Sequence, residues 1–476
     1  MPPVSSAQPA MSSPKPTATP TTSGTPPSQT RAQSPYLQGN FAPVTAEVTL
    51  EALRVRGNLP TELRGTLLRN GPNPAGEVDD KHHWFAGDAM LHAFELDAGR
   101  ARRYRNRWVR TSRIEETLGL PAAPKSPHEP FPQASGAVNV IAHAGRILAL
   151  GEVGLPYEVT RALDTVGQYD FAGALRSHMT AHPKLDPVTG ELFFFGYDFG
   201  PVPLRYHVVD AQGVLTRTVE LQTKQPVMMH DFALTATRAV FLDLPVVFDL
   251  GMVERGYQLP FRWDASYGAR VGVMRRDGDG SDLRWLEFPT CYVFHVYNAY
   301  DDGRCIVLDA VEHERTFEHD GMLEERMAAP LCVRYRIDPD AGRVSRTVLT
   351  DRGPDIGEEF PRIDPRLVGR KHRYGYAVQT AWHSTLSFSN LLKHDFERGT
   401  LQVHDVGAGR AASEGVFVPV GDGEDEGYLL APVYDANSNT SEVLVLDAQH
   451  FEAPPVAVIE LPVRIPFGFH GDFVRA

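Results

Sequence analysis

Ala144-Gly145-Arg146-Ile147-Leu148-Ala149-Leu150 is a turn followed by a short apolar run, and the chain repeats that cadence almost to its end. Glycine at the turn supplies the positive φ that a tight reversal needs, and the run after it has the length and composition of a strand. Thr189-Gly190-Glu191 leads into Leu192-Phe193-Phe194-Phe195 in the same way. Ala98-Gly99-Arg100, Gln212-Gly213, Asp277-Gly278-Asp279-Gly280, Asp301-Asp302-Gly303, Ala341-Gly342-Arg343, Arg398-Gly399-Thr400 and Asp425-Glu426-Gly427 continue the series. Extended helical periodicity is scarce, so the chain reads as all-β. Successive hairpins over most of a 476-residue chain leave strand edges that must be paired, and one closed ring does this better than an open sheet. A β-propeller is therefore expected, with roughly seven blades at about 60 residues per blade. Consecutive β-sandwiches are the alternative, but no Pro/Gly/Ser linker of inter-domain character lies between Asn40 and Ala476. The Pro-rich stretch from Thr111 to Ala137 reads as an excursion over one face.

Composition excludes several function classes. With 42% hydrophobic and 22% charged residues the chain is of ordinary globular type. A net charge of -13 without a Lys/Arg stripe argues against nucleic acid as a partner. Cys291, Cys305 and Cys332 are too few and scattered for a disulfide framework or a Cys-rich zinc site, which fits a reducing compartment. No apolar run approaches the roughly 18 residues of a membrane span, and residues 1–34 lack the apolar stretch of a secretory signal. A cytoplasmic location is expected, and no obligate protein partner is evident. Residues 1–34, rich in Pro, Ser and Thr, are expected to form a disordered leader ahead of a single catalytic domain over 35–476. A basic transit peptide is the other reading of that leader, but Lys15 and Arg31 are its only charges.

Of eighteen histidines, four stand among apolar or aromatic neighbours, where a buried imidazole needs a partner. They are His182 in Ala181-His182-Pro183, His230 in Met228-Met229-His230-Asp231-Phe232, His295 in Phe294-His295-Val296-Tyr297, and His470 in Phe467-Gly468-Phe469-His470. Their separations of 48, 65 and 175 residues are not those of a local metal finger. In a propeller the innermost strand of each blade lines the axis, so one histidine per blade can converge on a central ion. Four separate histidines, each bonded to a backbone carbonyl, are the alternative.

Leu68-Arg69-Asn70-Gly71-Pro72-Asn73-Pro74, His83-Trp84-Phe85-Ala86-Gly87-Asp88-Ala89-Met90-Leu91-His92, the four histidine segments, Glu359-Phe360-Pro361-Arg362-Ile363-Asp364 and Pro466-Phe467-Gly468-Phe469-His470-Gly471 together resemble the carotenoid cleavage oxygenase family. The resemblance runs in matching order from about Ser34 to the C-terminus. It implies a seven-bladed propeller, with loops and short helices forming a cap over one face, and one non-haem Fe(II) held on the axis by His182, His230, His295 and His470. Four neutral imidazoles on an octahedral ion leave two positions open for O2 and water or substrate. The resemblance further implies three glutamates that accept the free ring N–H of three ligands, at Glu152, Glu359 and Glu414. Glu358 beside Glu359 shows how narrow that assignment is; the flanking Phe360-Pro361 decides it. Where relatives commonly carry Asn-Thr-Asn near an open iron position, this chain has Ala137-Val138-Asn139, and Val138 keeps the volume of Thr without its hydroxyl.

The activity implied is cleavage of a conjugated C=C bond by O2 to give two carbonyl products, on a carotenoid or apocarotenoid. The family's stilbenoid branch reads a phenol with a Tyr and a Lys, the Lys directly ahead of the first of these glutamates. Gly151 stands there, and no Tyr lies between Arg105 and Val140, which favours a polyene over a lignostilbene- or resveratrol-type substrate. A tunnel of aromatic and aliphatic side chains is expected, with Phe294, Tyr297, Phe467 and Phe469 as candidate walls, although each equally suits core packing. A polyene resides in lipid, and Leu244 to Val253 is the candidate for peripheral membrane contact. A polyene isomerase, a propeller hydrolase of lactonase type and a binding module without metal are the rival readings. An HD-type phosphohydrolase, suggested by His230-Asp231, would require a helical context.

Overall fold

The computed structural model describes residues 34–78, 82–318, 328–353, 356–382 and 386–476, with no account of the Trp382 side chain. Ser34, expected in the leader, belongs instead to the folded part. It is buried, its hydroxyl donates to the His82 carbonyl at 2.6 Å, and it caps the short 3-10 turn Pro35–Leu37. The rest of the expected leader lies outside the described residues.

The hairpins form as the turn chemistry requires. Ala98-Gly99 and Ala144-Gly145 both have positive φ at the two central positions, the geometry whose twist matches that of the strands it joins. Asp97 faces Arg100 across the first turn and His143 faces Arg146 across the second. Seven antiparallel sheets follow one another around an axis, as expected. In chain order they are built on the strands Gly65–Pro72, Asn139–His143, Lys184–Leu185, Phe232–Leu234, Tyr292–Asp302, Ile356–Arg362 and Val416–Pro419, which we number blades one to seven. The ring is closed twice. The C-terminal strand Gly471–Arg475 pairs with Gly65–Pro72 as the innermost strand of blade one, and Val55–Gly57 pairs with Ala457–Glu460 in blade seven.

Central strands such as Leu192–Tyr197 are buried on both faces, because each blade is covered by its two neighbours. The Pro-rich segment does cross one blade: Gln168 N–H of blade two bonds the Pro124 carbonyl. It opens with helix α1, Ser112–Leu118, capped by the Thr111 hydroxyl and ended by Gly119 in the left-handed region. A separate hairpin, Val246–Phe248 with Phe261–Trp263, carries helix α2, Leu250–Glu254. Among the described residues no helix is long and apolar enough to cross a membrane.

Candidate metal centre

His182, His230, His295 and His470 meet on the axis. Nε2 of His182 lies 3.0 Å from that of His230, His230 lies 3.3 Å from His295, and His295 lies 3.1 Å from His470. Each histidine sits at or near the inner end of a different blade: three, four, five and one respectively. His182, His230 and His470 directly precede or nearly precede innermost strands. His295 lies within one, in a stretch where the register to the neighbouring strand shifts between Val293 and Val296 and again between Val296 and Asn298. Such bulges turn a side chain out of the regular alternation, here towards the axis.

The remaining three blades supply the acids. Glu152, at the end of the Arg146–Leu150 strand of blade two, places Oε2 2.8 Å from His230 Nδ1. Glu359 of blade six accepts from His295 Nδ1 at 2.5 Å, and Glu414 ahead of blade seven accepts from His470 Nδ1 at 2.7 Å. Glu359 also has its own bulge, and Phe360, next to it, takes φ of 58°, a conformation that costs a non-glycine residue strain and clusters at functional sites. That local kink sends Glu359 towards His295 and the Phe360 ring to within 5.6 Å of it.

Electrostatics follow from this frame. Burial alone would raise the Glu359 carboxyl, but the charges and hydrogen bonds of His295 and His313 outweigh it and hold the group well below the usual range. Glu414 is held low in the same sense, against burial, by Arg362 and His470; Arg362 donates twice to it, at 2.9 Å each. Burial depresses His470 to about 4 against the pull of Glu414, and burial with three neighbouring imidazoles holds His182 well below its ordinary value. Burial also opposes charging at His230, but Glu152 overcomes it and raises that group.

These residues fit a cation. Where Nδ1–H donates to a carboxylate, as in His295 and His470, the neutral ring keeps its lone pair on Nε2, so two lone pairs face each other at 3.1 Å with no proton between them. An ion bonded at about 2.1 Å, with ligands at right angles, would space neighbouring nitrogens by about 3.0 Å. Glu414 has Arg362 against it and Arg69 nearby, whereas Glu152 and Glu359 pair only with imidazoles among the described residues, so theirs are the negative charges a divalent ion would balance.

On one side of the four nitrogens lies a cavity walled almost wholly by carbon: Trp84, Phe85, Val138, Met228, Leu259, Phe261, Phe294, Pro330, Phe360, Leu386, Phe388 and Phe469, with His313. Of the four candidate wall residues, Phe294 and Phe469 line it. Phe467 lies behind, packed on Phe41 and Phe388 at 4.9 and 5.0 Å. Tyr297 is on the opposite side of the site, where its buried hydroxyl donates to Glu358 at 2.6 Å. Only His295 and Val296 stand between Phe294 and Tyr297, yet in this bulged stretch the two side chains end on opposite sides of the site. Trp84 and Phe85 were visible in the sequence inside the quoted motif but carried no role there. His313, Leu259, Phe261 and Phe388 had no signal at all.

Glu358 serves a second cluster with Cys332 and His394. Its carboxylate lies 3.0 Å from His394 Nε2 and takes the Tyr297 hydroxyl, and burial raises the Cys332 thiol well above its usual range, so this group is satisfied without an ion. Of the stretch proposed for lipid, Leu244, Val246 and Val247 are buried, and Phe248 stacks on Phe199 at 4.3 Å. Only Leu250 and Val253 of α2 stand out, 62% and 44% exposed.

The family model described as retinal pigment epithelial membrane protein matches residues 41–475. The carotenoid cleavage oxygenase of Mycobacterium tuberculosis is 38% identical over 93% of this chain and 98% of its own. The isoeugenol monooxygenase of Pseudomonas nitroreducens is 33% identical over 92% of this chain and 98% of its own. Among solved structures, the lignostilbene dioxygenase of Pseudomonas brassicacearum superposes with a TM-score of 0.84 at 27% identity, covering 93% of this chain and 99% of that one. A cobalt-substituted oxygenase from Synechocystis gives 0.81 at 27% identity, covering 91% and 97%.

Proposed function

Because this chain belongs to the carotenoid cleavage oxygenase family, we propose that it cleaves a conjugated C=C bond of a carotenoid or apocarotenoid with O2, using Fe(II) held by His182, His230, His295 and His470. One observation carries the reading: four imidazole Nε2 atoms converge at the inner end of a cavity whose wall is carbon. Fe(II) bound there supplies the activation of O2 that the side chains themselves lack.

The residues of the chain do the rest. Glu359 and Glu414 accept the Nδ1 proton of His295 and His470, and Glu152 lies 2.8 Å from His230 Nδ1, which orients the rings with Nε2 towards the axis. Phe294, Phe360, Phe388 and Phe469, with Trp84, flank a rod-like apolar substrate and exclude water from the reacting bond. Val138 fills a place beside the ligands with methyl groups and offers no hydrogen bond; its carbonyl accepts the His470 N–H at 3.1 Å, which ties it to the site. Entry from a membrane surface fits the exposed Leu250 and Val253, which lie on the hairpin that also brings Leu259 and Phe261 to the cavity.

A stilbenoid or phenylpropenoid substrate is the second reading, favoured by the likeness to the lignostilbene dioxygenase and the isoeugenol monooxygenase. Against it, Gly151 stands in the place of the expected lysine, and a Cβ there would already lie 3.2 Å from the Val153 carbonyl. The test is mass spectrometry of products after the iron-loaded protein meets an equal mixture of an apocarotenal and a hydroxystilbene under air. Polyene aldehydes are expected. Benzaldehydes alone would replace the first reading by the second, and no carbonyl product from either would overturn both.

A further inference from the structure

We propose that His313 is the residue that reads a hydroxyl group on the substrate, so that the preferred alkene carries an alcohol or phenol O–H close to the bond that reacts. The proposal rests on the cleavage reading above and deepens it by naming a feature of the substrate. His313 ends the strand Cys305–His313 and faces Tyr292 across blade five. It lines the cavity, is only 3% exposed, and packs against the Phe294 ring at 5.1 Å. Its Nε2 lies 2.7 Å from Glu359 Oε1, while the other oxygen of the same carboxylate takes His295 Nδ1 at 2.5 Å.

Those contacts fix what the other side of the ring can do. A carboxylate only accepts, so Nε2 of His313 carries the proton, and in the neutral ring Nδ1 is left with a lone pair. That Nδ1 is buried and without a hydrogen-bond partner. An unmet acceptor in a buried site carries the desolvation cost of that atom uncompensated, and in a carbon-walled cavity few groups other than a ligand can meet it. A lone pair selects a donor, which excludes an ether or a carbonyl oxygen as its mate and points to O–H. The position is also local. Only the Glu359 carboxylate separates His313 from a metal-binding histidine, so the group it reads lies near the reacting end of the cavity rather than at a distant terminus. Relative to a cavity with no polar reader, a site built to meet a hydroxyl rejects the analogue without it, because the acceptor then stays unpaired.

The test uses two matched pairs: a short polyene with and without an alcohol hydroxyl two or three carbons from an internal double bond, and para-hydroxystilbene with stilbene itself. Binding is measured without O2, and turnover under air, for the iron-loaded wild type, His313→Leu and His313→Gln. The wild type is expected to bind the hydroxylated member of at least one pair ~10-fold tighter or more. The pair that shows the preference tells alcohol from phenol. In His313→Leu that ratio should fall to near one, whereas His313→Gln, whose amide can both donate to Glu359 and accept from a hydroxyl, should restore part of it. A wild-type ratio near one in both pairs overturns the proposal, and so does a ratio that His313→Leu leaves unchanged. A residue that merely positioned Glu359 would lower metal content and the turnover of both members alike, leaving the ratio intact. Discrimination in binding with no turnover of any compound would sink the cleavage reading while the hydroxyl reader stood.

Discussion

Glu414 and His470 come from opposite ends of the closing seam of the ring, and Oε1 of the first accepts Nδ1–H of the second at 2.7 Å. The same carboxylate takes two donors from Arg362 and the backbone N–H of Gly471. The acid therefore holds both the tautomer of His470 and the start of the strand Gly471–Arg475 that shuts the propeller.

Glu414→Gln tests the first role. The amide presents either an acceptor to His470 or one to Arg362, so ring orientation is lost in part. Metal affinity should fall by about 10–100-fold, read by competition with a chelator. His182→Ala, which has no acid partner among these three, should instead abolish stoichiometric metal. Unchanged affinity in Glu414→Gln would mean the carboxylate is only a strand anchor.

The separation of Tyr297 from the cavity makes a paired prediction. Tyr297→Phe removes the donor to Glu358 and should cost about 1–3 kcal/mol of stability with the KM unaltered. Phe469→Ala should raise the KM, since that ring lines the cavity. A denaturant melt and substrate saturation on both variants decide it; a KM effect confined to Tyr297→Phe would place the substrate on the wrong side of the site.

Acid should destabilise the fold well before the carboxylates titrate. Burial holds His83, His92 and His207 at about 3, so the folded protein keeps them neutral while the unfolded chain protonates them below about 6.5. Their contribution is fully present above pH 6.5 and drains as pH falls towards 3, at about 1.4 kcal/mol per pH unit for each. Urea midpoints between pH 7 and pH 4 should drop steadily, and a flat profile to pH 5 would contradict the buried neutral state.

Lipid contact, if made through α2, is reached by Leu250→Asp with Val253→Asp and not by changes at Val247 or Phe248, which would break packing instead. The double variant should lose co-sedimentation with liposomes while its melting temperature stays within a few degrees. Equal partitioning of wild type and variant would remove α2 from any membrane role.

The sequence by itself determined the hairpins, and through them the all-β ring. Ala98-Gly99 and Ala144-Gly145 announce turns because positive φ is a local demand that local residue types meet. Recognisable motifs likewise marked the four histidines and the three glutamates that the fold brings together. Tertiary structure alone decided which side chains face the cavity. Strand parity would have sorted Phe294, His295 and Tyr297, but bulges on both sides of His295 reset the alternation, and nothing in the residue types marks where an extra residue enters a ladder. Phe467 and Phe469 lie outside any strand, and only Phe469 reaches the cavity. His313 shows the same limit most plainly. Its chemistry comes from a carboxylate 46 residues away and from the partner its Nδ1 lacks, both properties of the closed ring rather than of the chain around it.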